Sequence, residues 1–180
     1  MAKSFLNQSG LPIGLRNNNP GNIRPGDNWK GMIGTNGGFV TFENIAWGIR
    51  AMFTDLAGDV VDDGLTTITK LITEYAPPNE NPTGNYIQAV SEASGIGPNE
   101  TIPRTEDGII RLMKGMVAFE LGSKYAGYIT TADIKEGIAL ANDKWKDAFS
   151  YKGTGTQNNL LIGLGLAGLA AAMYQFVYKN

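Results

Sequence analysis

The sequence predicts an α+β fold that is mainly α-helical and ends in one C-terminal transmembrane helix. Three observations lead to this prediction: a β-hairpin pattern before Asn44, helical periodicity after it, and an uncharged apolar run at the end of the chain. The 180 residues are enough for one domain of ordinary size with a small appendage. We expect a head at residues 1–149, a linker at 150–157 and a membrane anchor at 158–180.

Turn formers and apolar spacing locate the elements of the head. Asn36-Gly37-Gly38 precedes the alternating residues Phe39 to Phe42, a pattern typical of a β-hairpin. Between Ile45 and Leu56, apolar residues recur every three or four positions, which predicts a helix with one buried face. Capping residues and prolines predict four more helices, at about 66–75, 82–95, 105–122 and 130–149.

The C-terminal run predicts a membrane span. Residues 160–178 read LLIGLGLAGLAAAMYQFVY and contain no charge. At helical rise they extend over roughly 28 Å, close to the ~30 Å hydrocarbon core of a bilayer. The alternative is a buried core helix or hairpin, but the run has no polar face and follows a stretch that resembles a flexible linker. We therefore expect a lipid bilayer to bind residues 158–178.

The composition excludes several classes of chemistry. The chain has no cysteine and no histidine, which excludes thiol nucleophiles, Ser-His-Asp relays and zinc sites built from imidazole or thiolate. The net charge of −2 gives no electrostatic reason to bind nucleic acid, and we expect neither a metal nor a cofactor. An enzyme of this composition would take its acids and bases from Asp, Glu, Lys or Tyr, so carboxylate chemistry is the first expectation.

Glu120 is the most informative candidate residue. At 100° per residue it lies roughly 20° from Ile109, in the middle of the apolar stripe of the fourth predicted helix. Burial raises the pKa of a carboxyl group, and a carboxylic acid with a raised pKa suits a glycosidase proton donor. The structural alternative is that Glu120 pairs with a buried arginine or caps a loop.

Glu43 and Glu80 are weaker candidates for a second active-site carboxylate. Glu43 stands between the predicted hairpin and the first predicted helix, where a negative charge also favours a helix N-terminus. Glu80 belongs to the rigid loop at 77–82, where it either lines a cleft or only organises the loop.

The asparagine-rich run predicts a sugar site. Side-chain amides of Asn18, Asn19 and Asn22 can bind sugar hydroxyls and N-acetyl groups, and Trp29 offers a flat face to a pyranose ring. The alternative is that these asparagines only adopt turn conformations.

Five stretches of the sequence carry a resemblance to a known family, and they are residues 14–24, 29–31, 39–51, 76–87 and 113–122. In this order they resemble the lysozyme-like proteins of bacteriophages, which are often virion structural proteins with predicted peptidoglycan-cleaving activity. A more distant resemblance is to flagellar-type β-N-acetylglucosaminidases, whose "NLFGIK…W.G" and "YATDP.Y" stretches are similar to residues 18–31 and 75–86.

In the glucosaminidases the catalytic glutamate precedes the first of these stretches, at the end of a helix. Residues 1–16 of this chain contain no acidic residue. One hypothesis is a circular permutation, in which the helix that ends in Glu120-Leu121-Gly122 supplies the acid from the C-terminal side.

The resemblance implies a membrane-anchored phage virion protein that cleaves peptidoglycan glycan strands during cell entry, as a muramidase, lytic transglycosylase or glucosaminidase. Glu120 would be the acid, and Glu43 would be the second choice for the acid or the helper carboxylate, while Tyr86, Asn22 and Trp29 would orient the sugar. Peptidoglycan and other virion proteins are the expected partners. The alternatives are a non-catalytic virion protein that links membrane and capsid, and a carbohydrate-binding module without a poised acid.

Overall fold

The computed structural model describes residues 2–78 and 82–152. This part of the chain is mainly helical, with one two-stranded antiparallel sheet. Its elements, in chain order, are α1 (Ile13–Arg16), β1 (Met32–Asn36), β2 (Phe39–Phe42), α2 (Ile45–Val61), α3 (Ile68–Tyr75), α4 (Thr83–Ser94), α5 (Glu106–Leu121), α6 (Ser123–Ala126), α7 (Thr131–Ala139) and α8 (Asp143–Ala148).

Side-chain caps begin the helices close to where the sequence predicts. The hydroxyls of Thr67 and Thr105 accept from backbone N–H groups three residues on, and begin α3 and α5. Thr130 and Asp133 form a capping box at the start of α7. The helix predicted at 130–149 is two helices, because the chain leaves α7 at Leu140 and Asn142 caps α8.

Helix α2 lies at the centre of the core and packs on α3, α7 and α8. Two glycines allow close approach: a Cβ at Gly48 would lie 1.9 Å from the Asn18 carbonyl oxygen, and one at Gly137 would lie 2.4 Å from the Ile49 side chain. On the other side of the molecule, α5 packs against α4 and α7. The long helices therefore enclose one main apolar core.

The hairpin agrees with its sequence prediction. Asn36 pairs with Phe39, and the turn residues Gly37 and Gly38 both have positive φ, at 61° and 85°. The inner strand β2 bonds to the asparagine-rich loop, since Phe42 N–H donates to the Asn17 carbonyl at 2.8 Å. The hairpin is thereby fixed beside α2, with which β2 is in contact.

The structure corrects the predicted fold class. Across residues 2–78 and 82–152 the chain forms helices and one small sheet, and none of these helices is long and apolar enough to cross a membrane. The longest of them, α2, has 17 residues, fewer than the roughly 20 that a bilayer requires, and it carries Asp55 and Asp59. The anchor predicted at 158–180 lies outside the described residues, and for residues 2–78 and 82–152 the corrected fold class is mainly α-helical with one small sheet.

The described chain continues past the predicted end of the head at residue 149. Tyr151 packs against the core, and its hydroxyl donates to the Lys135 carbonyl at 2.8 Å. Residues 150–152 of the predicted linker therefore lie against the head, while the rest of the linker is outside the described residues.

Candidate functional site

Glu120 lies in the last turn of α5, two residues before Gly122 ends the helix with φ at 78°. Met116 and Val117 of this helix are buried, and the Glu120 side chain beside them is half-buried. Burial raises its pKa, although two hydrogen bonds act in the opposite direction. Glu120 therefore holds its proton to a higher pH than an exposed glutamate.

Two neutral groups hold this carboxyl in one orientation. The Tyr86 hydroxyl donates to Oε1 at 2.7 Å, and the Asn22 amide donates to Oε2 at 2.8 Å. Neither donor is a cation, so Glu120 is not paired with an arginine here; its bond to Asn22 joins it to the asparagine-rich loop, the other contact that the structural alternative names. The structure thus brings together Glu120, Asn22 and Tyr86, which lie far apart in the sequence.

Asn22 reaches Glu120 because of an unusual backbone conformation. Its φ is 50°, in the left-handed region that asparagine tolerates better than most residues, and its N–H bonds to the Asn19 carbonyl. The other amide atom, Oδ1, is buried without a hydrogen-bond donor among the described residues. Among the described residues, the Asn22 side chain therefore forms a hydrogen bond to Glu120 through its N–H group and none through Oδ1.

Aromatic packing holds Tyr86 in place. Its ring stacks on Phe119 with centroids 3.9 Å apart, and it meets the Tyr75 ring edge-on at 6.4 Å. Tyr75 is itself anchored, since its hydroxyl donates to the Gly21 carbonyl. Both tyrosine hydroxyls thus connect α3 and α4 to the asparagine-rich loop and to Glu120.

A pocket of about 290 Å³ opens beside this group, and we call it the acidic pocket. It lies between the loop after the asparagine run, α2 and α3, and it shares Asn22 and Tyr75 with the surroundings of Glu120. The lining residues are Asn22, Ile23, Arg24, Asp27, Trp29, Asp55, Asp59, Glu74 and Tyr75.

Like charges crowd this pocket. Burial, followed by the charges of Asp59 and Asp27, raises the pKa of Asp55 to about 6. Burial, followed by the charges of other carboxylates, likewise raises the pKa of Asp59 to about 6. Both groups therefore titrate near neutrality rather than near pH 4.

Tyr75 links the acidic pocket to Glu120 electrostatically. Burial raises its pKa well above the usual value, and the charges of Glu120 and Asp55 add to this effect. Charges interact more strongly in a protein interior than in water, so the buried Tyr75 hydroxyl responds to both carboxyl groups. In the part of the chain that the structure describes, no group of three or more carboxylates is arranged to hold a metal ion.

Of the other predicted site residues that the structure describes, Trp29 lines the acidic pocket and the rest lie elsewhere. Asn18 and Asn19 are fully buried, and their amides bond to the backbone of the N-terminal arm, the loop and β2. Glu43 is exposed just before α2, where its charge favours the helix N-terminus. Glu80 lies outside the described residues. Trp29 lines the acidic pocket, and its indole N–H group is buried.

Three residues of this site were missed in the sequence: Asp55, Asp59 and Tyr75. Asp59 had the appearance of a solvated helix end together with Asp62 and Asp63. The available signal was the spacing of Asp55 and Asp59. Two like charges at i, i+4 destabilise a helix, so such a pair points to a role other than helix stability.

The chain has a clear relative among characterised bacteriophage proteins. Protein P5 of Pseudoalteromonas phage PM2 is 34% identical over 131 residues, which cover 69% of this chain and 79% of P5. The chain belongs to the P5 family. No protein-family model matches it.

Membership in the P5 family confirms the predicted relationship to bacteriophage proteins. The name of the relative states no activity. The likeness to lysozyme-like hydrolases and to glucosaminidases stays a prediction. Glu120 and the acidic pocket are the features of this chain that bear on a catalytic activity.

Proposed function

We propose that this P5-family chain is a bacteriophage virion protein that cleaves the glycan strands of peptidoglycan, with Glu120 as the proton donor. One observation carries the catalytic part: a half-buried carboxyl with a raised pKa is held by Tyr86 and by Asn22, and Asn22 lines a pocket that also contains a tryptophan. A raised-pKa acid next to a sugar-sized pocket is the minimum that glycoside cleavage requires.

In the proposed reaction, protonated Glu120 transfers its proton to the glycosidic oxygen. The bond between that oxygen and the anomeric carbon breaks, and its electron pair stays on the leaving oxygen. The oxocarbenium-like anomeric carbon then forms a bond to water, which loses a proton, or to a hydroxyl or acetamido group of the substrate itself. Tyr86 and Asn22 then stabilise the Glu120 carboxylate, since both donate to its oxygens. The indole of Trp29 provides a flat apolar surface for a sugar ring in the pocket.

The test is a digest of purified peptidoglycan by the full chain, with products read by mass spectrometry. We expect Glu120→Gln to reduce product release at least about 100-fold, the usual loss when a general acid is removed. Glu43→Gln is the matched control, because Glu43 is exposed and does not line the acidic pocket. Circular dichroism establishes that both variants fold. Equal activity of wild type and Glu120→Gln would contradict the proposed role.

A second candidate is a virion protein without catalytic activity. The P5 relationship favours it, because it supports a phage protein directly and states no activity. It predicts that the folded wild-type chain releases no products while a lysozyme control does. It also predicts that Glu120→Gln and wild type enter virions equally well.

A further inference from the structure

We infer that Asp55 is the general base of the same site, so that the glycan is cleaved by water in a single displacement. This inference rests on the proposed function of Glu120. It decides between hydrolysis and transglycosylation, because a transglycosylase uses a hydroxyl of the substrate itself as the attacking group and needs no base for water.

Asp55 lines the acidic pocket together with Asn22 and Tyr75. It projects from α2, whereas Asn22 and Tyr75 reach the pocket from the loop and from α3. Asn22 also bonds to Glu120, and the charges of Glu120 and Asp55 both act on Tyr75. Asp55 is therefore part of the pocket wall, and Glu120 is joined to that wall from behind through Asn22.

The space between these walls suits a water molecule together with part of a sugar. The pocket measures about 290 Å³, whereas one water occupies about 30 Å³ of liquid. Inverting glycosidases keep their two carboxyl groups far enough apart for such a water, about 6.5–9.5 Å. Asp55 lies on α2 and Glu120 on α5, so the inference requires these two helices to set that separation.

The charges around Asp55 suit a base that works near neutral pH. Asp59 lies one turn further along α2, Asp27 and Arg24 face the pocket from the loop, and Glu74 and Tyr75 face it from α3. Burial and the neighbouring carboxylates make Asp55 a stronger base than an exposed aspartate, because they raise its pKa to about 6. It is still mostly ionised at pH 7, so it can accept a proton.

The water oxygen forms a bond to the anomeric carbon while one of its protons passes to the Asp55 carboxylate. On the other side, Glu120 gives its proton to the leaving oxygen as the old bond breaks. The product carries a new reducing end of inverted configuration, and solvent returns the proton from Asp55 to Glu120 before the next cycle.

The experiment is the peptidoglycan digest repeated in H₂¹⁸O with the full chain. Wild type should place one ¹⁸O at each new reducing end, and Asp55→Asn should reduce release at least about 100-fold. Asp62→Asn is the control. Asp62 caps the C-terminal end of α2, is exposed, pairs with Lys144 and does not line the pocket. Azide added to Asp55→Ala should restore release and give glycosyl azides, a result that a merely structural aspartate would not produce.

The pH profile gives a second, independent readout. Asp59→Asn removes a charge that raises the pKa of Asp55. The acidic limb of the rate profile, which reports the ionisation of the base, should therefore move to lower pH in this variant.

Failure of the inference and failure of the proposed function give different results. If Glu120→Gln is inactive but Asp55→Asn retains activity, or if wild type releases anhydro ends without ¹⁸O, Asp55 is not the base and Glu120 remains the acid. If wild type is inactive, or if Glu120→Gln is as active as wild type, the proposed function and the role of Asp55 are both overturned.

Discussion

At the scale of single residues, the defining feature is a carboxyl group placed on an apolar helix face. Burying the charged form of Glu120 is costly, so the fold either protonates it or supplies hydrogen bonds. Both effects act on Glu120: burial raises its pKa, and Tyr86 and Asn22 donate a hydrogen bond to one oxygen each. The two donors limit the rise of the pKa, because they favour the ionised form.

The Tyr86 hydroxyl should therefore tune the pKa of Glu120. We expect Tyr86→Phe to raise this pKa further, because it removes a hydrogen bond that stabilises the carboxylate and keeps the aromatic packing. The measurement is a carbon-13 NMR titration of the glutamate carboxyl groups. Tyr128→Phe is the control, since Tyr128 is exposed and packs on Phe5 and Tyr125. A pKa that stays the same or falls in Tyr86→Phe would contradict this account.

Helical periodicity places Glu120 on the apolar face of α5, but it cannot reveal which residues bond to its carboxyl group. The spacing from Ile109 is a property of one helix, so the sequence alone places the carboxyl on the buried face. Asn22 and Tyr86 lie 98 and 34 residues away along the chain, and only tertiary packing brings them to Glu120. The same limit explains Asn18, whose amide was expected to bind sugar and instead bonds to the backbone of Phe5 and Phe42.

At the scale of elements, the glycines of α2 show where close packing outweighs helix propensity. Gly48 and Gly58 lie on the same helix, but a Cβ at Gly48 would collide with the Asn18 carbonyl, while one at Gly58 would meet nothing within 4 Å. Glycine weakens a helix interior by about 0.5–1 kcal/mol relative to alanine. Of these two positions, only Gly48 is one where the tertiary packing requires glycine despite this loss of helix stability.

This pair gives a matched prediction. Gly58→Ala should raise the free energy of unfolding by about 0.5–1 kcal/mol, since it removes backbone entropy from the unfolded chain without a clash. Gly48→Ala should lower it by about 1–3 kcal/mol, because the asparagine-rich loop must move to admit a methyl group. Urea unfolding of both variants beside wild type measures the difference. Equal effects would mean that the loop does not pack on α2 as described.

Long capped helices were predictable, whereas short helices and breaks were not. The threonine caps of α3 and α5 are local signals, and both helices begin within about two residues of the prediction. The four-residue helices α1 and α6 have no periodic stripe, and helices this short depend on tertiary contacts. The break between α7 and α8 had one unused signal, the capping residue Asn142.

At the scale of the whole molecule, titrating groups act on stability in opposite directions. Asp55 and Asp59 have pKa values of about 6 in the folded state, so the folded chain binds more protons than the unfolded chain between about pH 3.8 and 6. Their contribution to stability is present at low pH and is lost as the pH rises through this range. Asp133 behaves oppositely: although burial raises its pKa, hydrogen bonds from Lys3 and Thr130 hold it below the usual value.

Removing one charge from the acidic pocket should therefore stabilise the protein at neutral pH. A pKa raised from 3.8 to about 6 corresponds to at most about 3 kcal/mol, and solvent screening at the partly exposed Asp59 reduces this to about 1 kcal/mol. We expect Asp59→Asn to raise the free energy of urea unfolding by this amount at pH 7.5 and by much less at pH 4. Asp133→Asn, the control of opposite sign, should be destabilised at pH 7.5, because its carboxylate caps α7 and binds Lys3. An Asp59→Asn chain that gains nothing at pH 7.5, or gains equally at both values, would show that like-charge repulsion in the pocket does not limit stability.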